Sequence, residues 1–208
     1  MQNLISQINE LRNSSTREII DSRMKEFEEL GMKDSKELFK ELCFCFMTAN
    51  YSALGGMKIQ KEIDEGFISL PQELLASKLK ALGHRFPNAR AGFVVGARSL
   101  VYELKDKLDS FNSDLERREW LVKNVKGIGM KEASHFLRNI GYKNVAIIDF
   151  HIVDLLVKEN LIEEPKILTP KKYVEIERIL QEISNKTGIN LGELDLYLWY
   201  METGKILK

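Results

Sequence analysis

Cysteine is nearly absent: Cys43 and Cys45, in the run LCFCFM, are the only two in 208 residues. In a helix their side chains would point about 200° apart, so they are not expected to bridge. Two thiols also cannot fill a four-cysteine zinc or iron–sulfur site. Both are expected in or near the core. No HExxH and no Cys–His cluster occurs, so no catalytic metal or other cofactor is expected. Apolar runs fall far short of a membrane span, and the start MQNLISQINELRNSS lacks the basic and apolar regions of a signal peptide. These absences make the cytoplasm the expected location and exclude a membrane partner. Neither sign of charge is in excess, with 31 basic and 31 acidic residues. Taken alone, that balance argues against a nucleic-acid partner.

Proline is scarce too, at four residues, and helical periodicity fills the space it leaves. Apolar positions recur every three to four residues. This spacing predicts an all-α chain with helices near 2–12, 16–30, 34–49, 52–64, 71–81, 87–107, 113–124, 130–140, 150–159, 170–186 and 191–202. Ser15 or Thr16, Asp34 and Ser113 precede amphipathic stretches as caps, and Pro71 suits a first turn. Val145-Ala146-Ile147-Ile148 is the best strand candidate and reads better as a buried connector. Charge, balanced overall, is uneven along the chain. Residues 117–143 hold seven basic and two acidic residues, and 82–98 hold three arginines, one histidine and no acid. A local basic face of this kind can bind a polyanion.

The most informative segment is Val125-Lys126-Gly127-Ile128-Gly129-Met130-Lys131. Two glycines around an apolar residue permit a tight turn between helices, with Ile128 plugging the gap. Amides at the turn and at the next helix start, flanked by Lys126 and Lys131, suit a phosphate. An ordinary helix–helix turn would read the same way in isolation. Asp149 follows some twenty residues later, in AIIDFHIV. Together the hairpin, the lysine and the aspartate resemble the helix-hairpin-helix DNA glycosylase superfamily. The blocks ELCFCFMTANYSALGGMKIQKEI, LGHRFPNARAGFV, GIGMKEASHFLRNIGY and DLYLWYMETGKILK resemble the type-2, archaeal-type 8-oxoguanine glycosylases, in that family's order. One departure is Phe150, where the family commonly carries a basic residue.

The resemblance implies one domain over 1–208, built as two helical lobes around a cleft, with the hairpin at 125–131. It implies a monomeric, prokaryotic, nucleoid-associated enzyme that binds double-stranded DNA containing a damaged base. Lys131 would attack C1′ of the flipped nucleotide, and β-elimination from the Schiff base would cut the strand. The helix dipole and burial would both disfavour the ammonium form of this lysine. Asp149, at a helix start, would stay ionised and stabilise positive charge on the sugar. Trp199 and Phe86 would sandwich the base, Phe44 would be a further wall, and the Lys208 carboxylate would reach the base edge. Gly127, Ile128, Gly129, Lys126, Asn50 and Arg85 would contact DNA. Among the other basic residues, His84 is placed near the duplex edge, and Arg90 and Arg98 are duplex contacts or helix-surface charges. The superfamily also implies a monovalent cation among the Lys123, Val125 and Ile128 carbonyls. His135, four residues beyond Lys131, shares its helix face. Two other readings stay open: a glycosylase for another oxidised or alkylated base, and a non-catalytic hairpin module that only binds DNA.

Overall fold

Side-chain caps set six of the thirteen α-helix starts. Asp34 accepts the Glu37 amide, Ser113 and Glu116 form a reciprocal capping box, and Thr169, Asn190 and Asp149 each accept the amide three residues on. Each such cap satisfies a backbone N–H that the helix itself cannot. The computed structural model describes residues 1–208. Its helices are α1 (Gln2–Arg12), α2 (Thr16–Gly31), α3 (Ser35–Thr48), α4 (Ala53–Ile63), α5 (Gly66–Ser69), α6 (Gln72–Ala81), α7 (Pro87–Gly96), α8 (Leu104–Asp109), α9 (Asp114–Asn124), α10 (Met130–Asn139), α11 (Phe150–Lys158), α12 (Pro170–Thr187) and α13 (Leu191–Thr203). No strand forms, and no helix is long and apolar enough to cross a membrane.

Two expectations need correction. The helix expected over 87–107 is broken: α7 stops at Gly96, a 3-10 turn covers Arg98–Leu100, and α8 starts at Leu104. Arg98 explains the break, because its guanidinium donates to the Phe67 and Leu70 carbonyls at 2.9 and 2.5 Å. That tether bends the chain so that Val101, Leu104 and Leu108 enter the core beside α3. The expected cap of α2 is also absent: neither Ser15 nor Thr16 makes a capping bond, and the Ser14 hydroxyl accepts the Thr16 amide instead. The connector reading of Val145–Ile148 holds, and α12 supplies the reason. Glu177 accepts the Ala146 amide, while the Tyr173 hydroxyl donates to the Ala146 carbonyl and accepts the Ile148 amide. Side chains here satisfy backbone groups that a sheet neighbour would otherwise satisfy.

Two apolar cores organise the helices. One gathers α3 to α10 around Phe39, Leu42, Phe44, Phe46 and Met47, and both cysteines are fully buried in it. The other joins α1 and α2 to α11, α12 and α13, so the chain's two ends share one lobe. Side chains buried all along α3 contribute about 1.5–3 kcal/mol each. That outweighs the cost of carrying Lys40 and Glu41 inward on the same helix. The lobes meet closely where α2 crosses the end of α10. A Cβ on Gly31 would lie 2.2 Å from the Ile140 carbonyl oxygen, so only glycine fits there.

A buried ion pair fastens α9 to α12. Arg118 donates to both Glu177 oxygens, at 2.5 and 2.7 Å, with little of either side chain exposed. Glu177→Ala would strand the Arg118 charge and release the connector. It should cost about 3–5 kcal/mol, as breaking one side of a buried pair does. Urea unfolding measures this, and a loss below about 1 kcal/mol would match a surface pair instead.

Candidate active site

Between the lobes lies a cavity of about 800 Å³. Lys131, Asp149, Trp199, Lys208, Asn50 and Arg85 all line it, drawn from segments far apart in the chain. The hairpin that delivers Lys131 is built as the glycine spacing predicts, with one refinement. Gly127 has φ +93°, and a Cβ there would strike the Phe93 ring at 2.5 Å. Gly129 is in extended backbone and serves as the N-cap of α10. Ile128 is buried in the core beneath the turn, and its amide donates to the Val125 carbonyl at 3.1 Å. Lys126 is exposed outside. No side chain caps α10, so its first-turn amides have no side-chain acceptor. Uncapped amides with a positive helix end suit an anion.

Asp149 is the N-cap of α11 and accepts the Ile152 amide at 3.0 Å. The connector held by Glu177 and Tyr173 runs straight into it, which fixes where its carboxylate points. On α10, Lys131, His135 and Arg138 present one face to the cavity, as their spacing requires. Burial, with the Arg138 and Lys131 charges, pushes the His135 imidazole well below its usual range. His135 is therefore neutral at pH 7. Its Nδ1 is buried without a partner, and the Lys208 backbone faces the ring as an acceptor.

Asp195 is the main residue that sequence reasoning missed. It lies four residues before Trp199 on α13, on the same helix face, and that spacing was the available signal. Its carboxylate accepts from Arg138 at 2.7 Å in a nearly dry setting. Burial raises its pKa to about 6, against the opposing charge of Arg138; Asp149 adds to the rise and Lys131 resists it. Asp195 thus shares an electrostatic field with both predicted catalytic groups. Phe150 is 68% exposed at the rim and stacks on His151 at 4.0 Å, and His151 meets Trp199 edge-on at 5.8 Å.

Several expected residues lie elsewhere. Phe86 is exposed outside the cavity lining, with the Arg85 guanidinium over its ring at 5.3 Å. Its amide donates to His84 Nδ1, which anchors this residue at the start of α7. Phe44 is fully buried and lines nothing; it packs behind the wall, against His135 and under the Lys208 ammonium. The basic cluster at 82–98 is mostly inward. Buried His84 donates through Nε2 to the Met47 carbonyl, and burial lowers its pKa. Arg90 donates to the Ala49 carbonyl at 2.6 Å and Arg98 to those of Phe67 and Leu70, so neither is a helix-surface charge. Only Arg85 of that group faces the cavity. The bonds from His84 and Arg90 instead brace the loop carrying Asn50, which is exposed with φ +57°.

This arrangement places Lys131, the carboxylates of Glu132, Asp149 and Asp195 and the Trp199 ring around one cavity beside the glycine hairpin. Comparison with known proteins identifies the family. Residues 20–189 match the family model described as 8-oxoguanine DNA glycosylase. A protein of Korarchaeum cryptofilum named 8-oxoguanine DNA glycosylase/AP lyase is 56% identical, covering 100% of this chain and 99% of its own. One of the same name from Thermotoga maritima is 45% identical, with 100% of both chains covered. The crystal structure of the Methanocaldococcus jannaschii 8-oxoguanine glycosylase/lyase with a 15mer DNA containing 8-oxoguanine superposes with a TM-score of 0.96. It is 53% identical and 99% of each chain is covered. By sequence over its full length and by fold, the chain belongs to the 8-oxoguanine DNA glycosylase family.

Proposed function

We propose that this protein is a bifunctional DNA glycosylase/AP lyase that excises 8-oxoguanine from duplex DNA. The observation that carries the proposal is the meeting of Lys131 and Asp149 on one interlobe cavity, within a chain so similar to enzymes of that name. The cavity has room for a flipped nucleotide. The Lys131 amine attacks C1′ as the C1′–N9 bond breaks, and the base leaves with that electron pair and a proton. The C1′–O4′ bond of the resulting aminal then breaks, O4′ taking a proton as the sugar opens to an imine, which acidifies C2′, and loss of a C2′ proton expels the 3′ phosphate. Asp149, the cap acceptor of α11, stabilises the cationic sugar.

Around this pair, Trp199 offers one aromatic face to the base. Phe86, exposed at the neighbouring rim, is the candidate for the second face once the duplex closes on the cavity. The Lys208 main-chain oxygens are the acceptors for the N1 and N2 hydrogens of the base edge. Lys126, Arg85 and Asn50 are exposed for backbone or orphan-base contacts, and the amides around Gly127 and Gly129 meet a phosphate. The Lys123, Val125 and Ile128 carbonyls, at and just after the end of α9, are the donors that this reading assigns to a monovalent cation bridging to that phosphate.

The test is incubation with duplexes carrying 8-oxoguanine, an oxidised pyrimidine, an alkylated purine or no lesion, with borohydride present. The expected result is a covalent protein–DNA adduct and strand cleavage confined to 8-oxoguanine. Preferential trapping on another lesion would reassign the substrate, and no adduct on any duplex would leave a DNA-binding module.

A further inference from the structure

Glu41 is a buried carboxylate that the chemistry above does not use. It lies mid-way along α3 with 1% exposure, behind the cavity wall. Such a charge is costly unless donors surround it. Three do: Asn139 Nδ2 at 2.7 Å, Gln60 Nε2 at 3.0 Å and Lys208 Nζ at 2.7 Å. Only Lys208 is cationic, and it comes from 167 residues away. Gln60 completes the grip, because its Oε1 accepts from the same ammonium at 2.6 Å. The Phe44 ring lies 4.4 Å from that nitrogen. With its side chain held in this way, the tail turns Lys205, Leu207 and Lys208 into one wall of the cavity. The same carboxylate reaches the opposite lobe, since Asn139 accepts from Arg138, which is paired with Asp195.

We propose that Glu41, assisted by Gln60, is a positioning residue that seats the 205–208 tail as the base-recognition wall. This rests on the function proposed above. Glu41 acts through Lys208, while Lys131 and Asp149 are carried by the first turn of α10 and the cap of α11, and the tail meets α10 at His135, one turn further on. Losing the clamp therefore harms a step that grips the base and spares a step that has no base to grip.

The experiment compares two single-turnover rates: excision from 8-oxoguanine duplex, and cleavage of a duplex with a preformed abasic site. If the unmodified protein fails to excise 8-oxoguanine, the functional reading itself is wrong. If it excises, Glu41→Gln should slow excision by about tenfold or more, the scale of losing a charged hydrogen bond, and change abasic-site cleavage by less than about threefold. The double variant Glu41→Gln/Lys208→Met should excise no more slowly than Lys208→Met alone, because both remove the same contact. Should Glu41→Gln fail to fold by circular dichroism, Gln60→Met removes a second ligand of the ammonium and should give the same split. Equal loss of both activities, multiplicative losses in the double variant, or full excision by a folded Glu41→Gln protein would overturn the proposal.

Discussion

Lys131→Gln should leave no protein–DNA adduct under borohydride and no detectable release of 8-oxoguanine. An imine needs a primary amine, and glutamine offers an amide of similar reach that cannot form one. Of the residues lining the cavity, the lysines are Lys131, Lys205 and Lys208, and only Lys131 stands beside the carboxylate pair Asp149 and Asp195. Duplex binding should persist within a few fold. The α10 amides, Lys126 and Arg85 are untouched, and phosphate contacts supply most of the affinity of such complexes. A second readout separates this from misfolding. Because the Lys131 charge holds the Asp195 carboxyl down, its loss should move Asp195 further above its present value of about 6. Carboxyl titration by NMR would detect the shift. A variant that still forms the adduct at the wild-type rate would place the nucleophile on another amine, with the tail lysines the first to examine.

Asp149→Asn should keep the fold and lower the single-turnover excision rate by about 10²-fold or more, the scale of removing one well-aimed electrostatic stabiliser. The substitution separates two roles that coincide in one side chain. Asparagine still accepts the Ile152 amide, so α11 retains its cap. What disappears is the negative charge facing the sugar. The expected signature is therefore an unchanged melting temperature with a collapsed rate. Asp195 cannot substitute for the lost charge, because Arg138 already claims its carboxylate. An undiminished rate would reduce Asp149 to a helix cap.

These two residues were legible in advance for different reasons than the rest of the site. Asp149 caps a helix through an amide three residues away, and Lys131 follows a glycine turn by two residues. Both are short-range patterns, which a linear sequence records directly. The same holds for Asp34, for the Ser113–Glu116 box and for the hairpin glycine with positive φ. Phe86 is less legible, because nothing local says which way a ring at a helix start will face. His84, Arg90 and Arg98 were read as outward charges because a run of basic residues suggests a basic face. Each instead found a backbone carbonyl 28 to 41 residues away, and that bond turned it inward.

The sequence by itself determined the helical class, most helix limits, the hairpin and the lysine–aspartate pair, since periodicity, capping and glycine conformation act within a turn or two of the chain. The tertiary structure alone decided what surrounds that pair. Arg138 met Asp195 and Lys208 met Glu41 only after the lobes closed, because a buried charge must take whichever opposite charge the packing brings within reach.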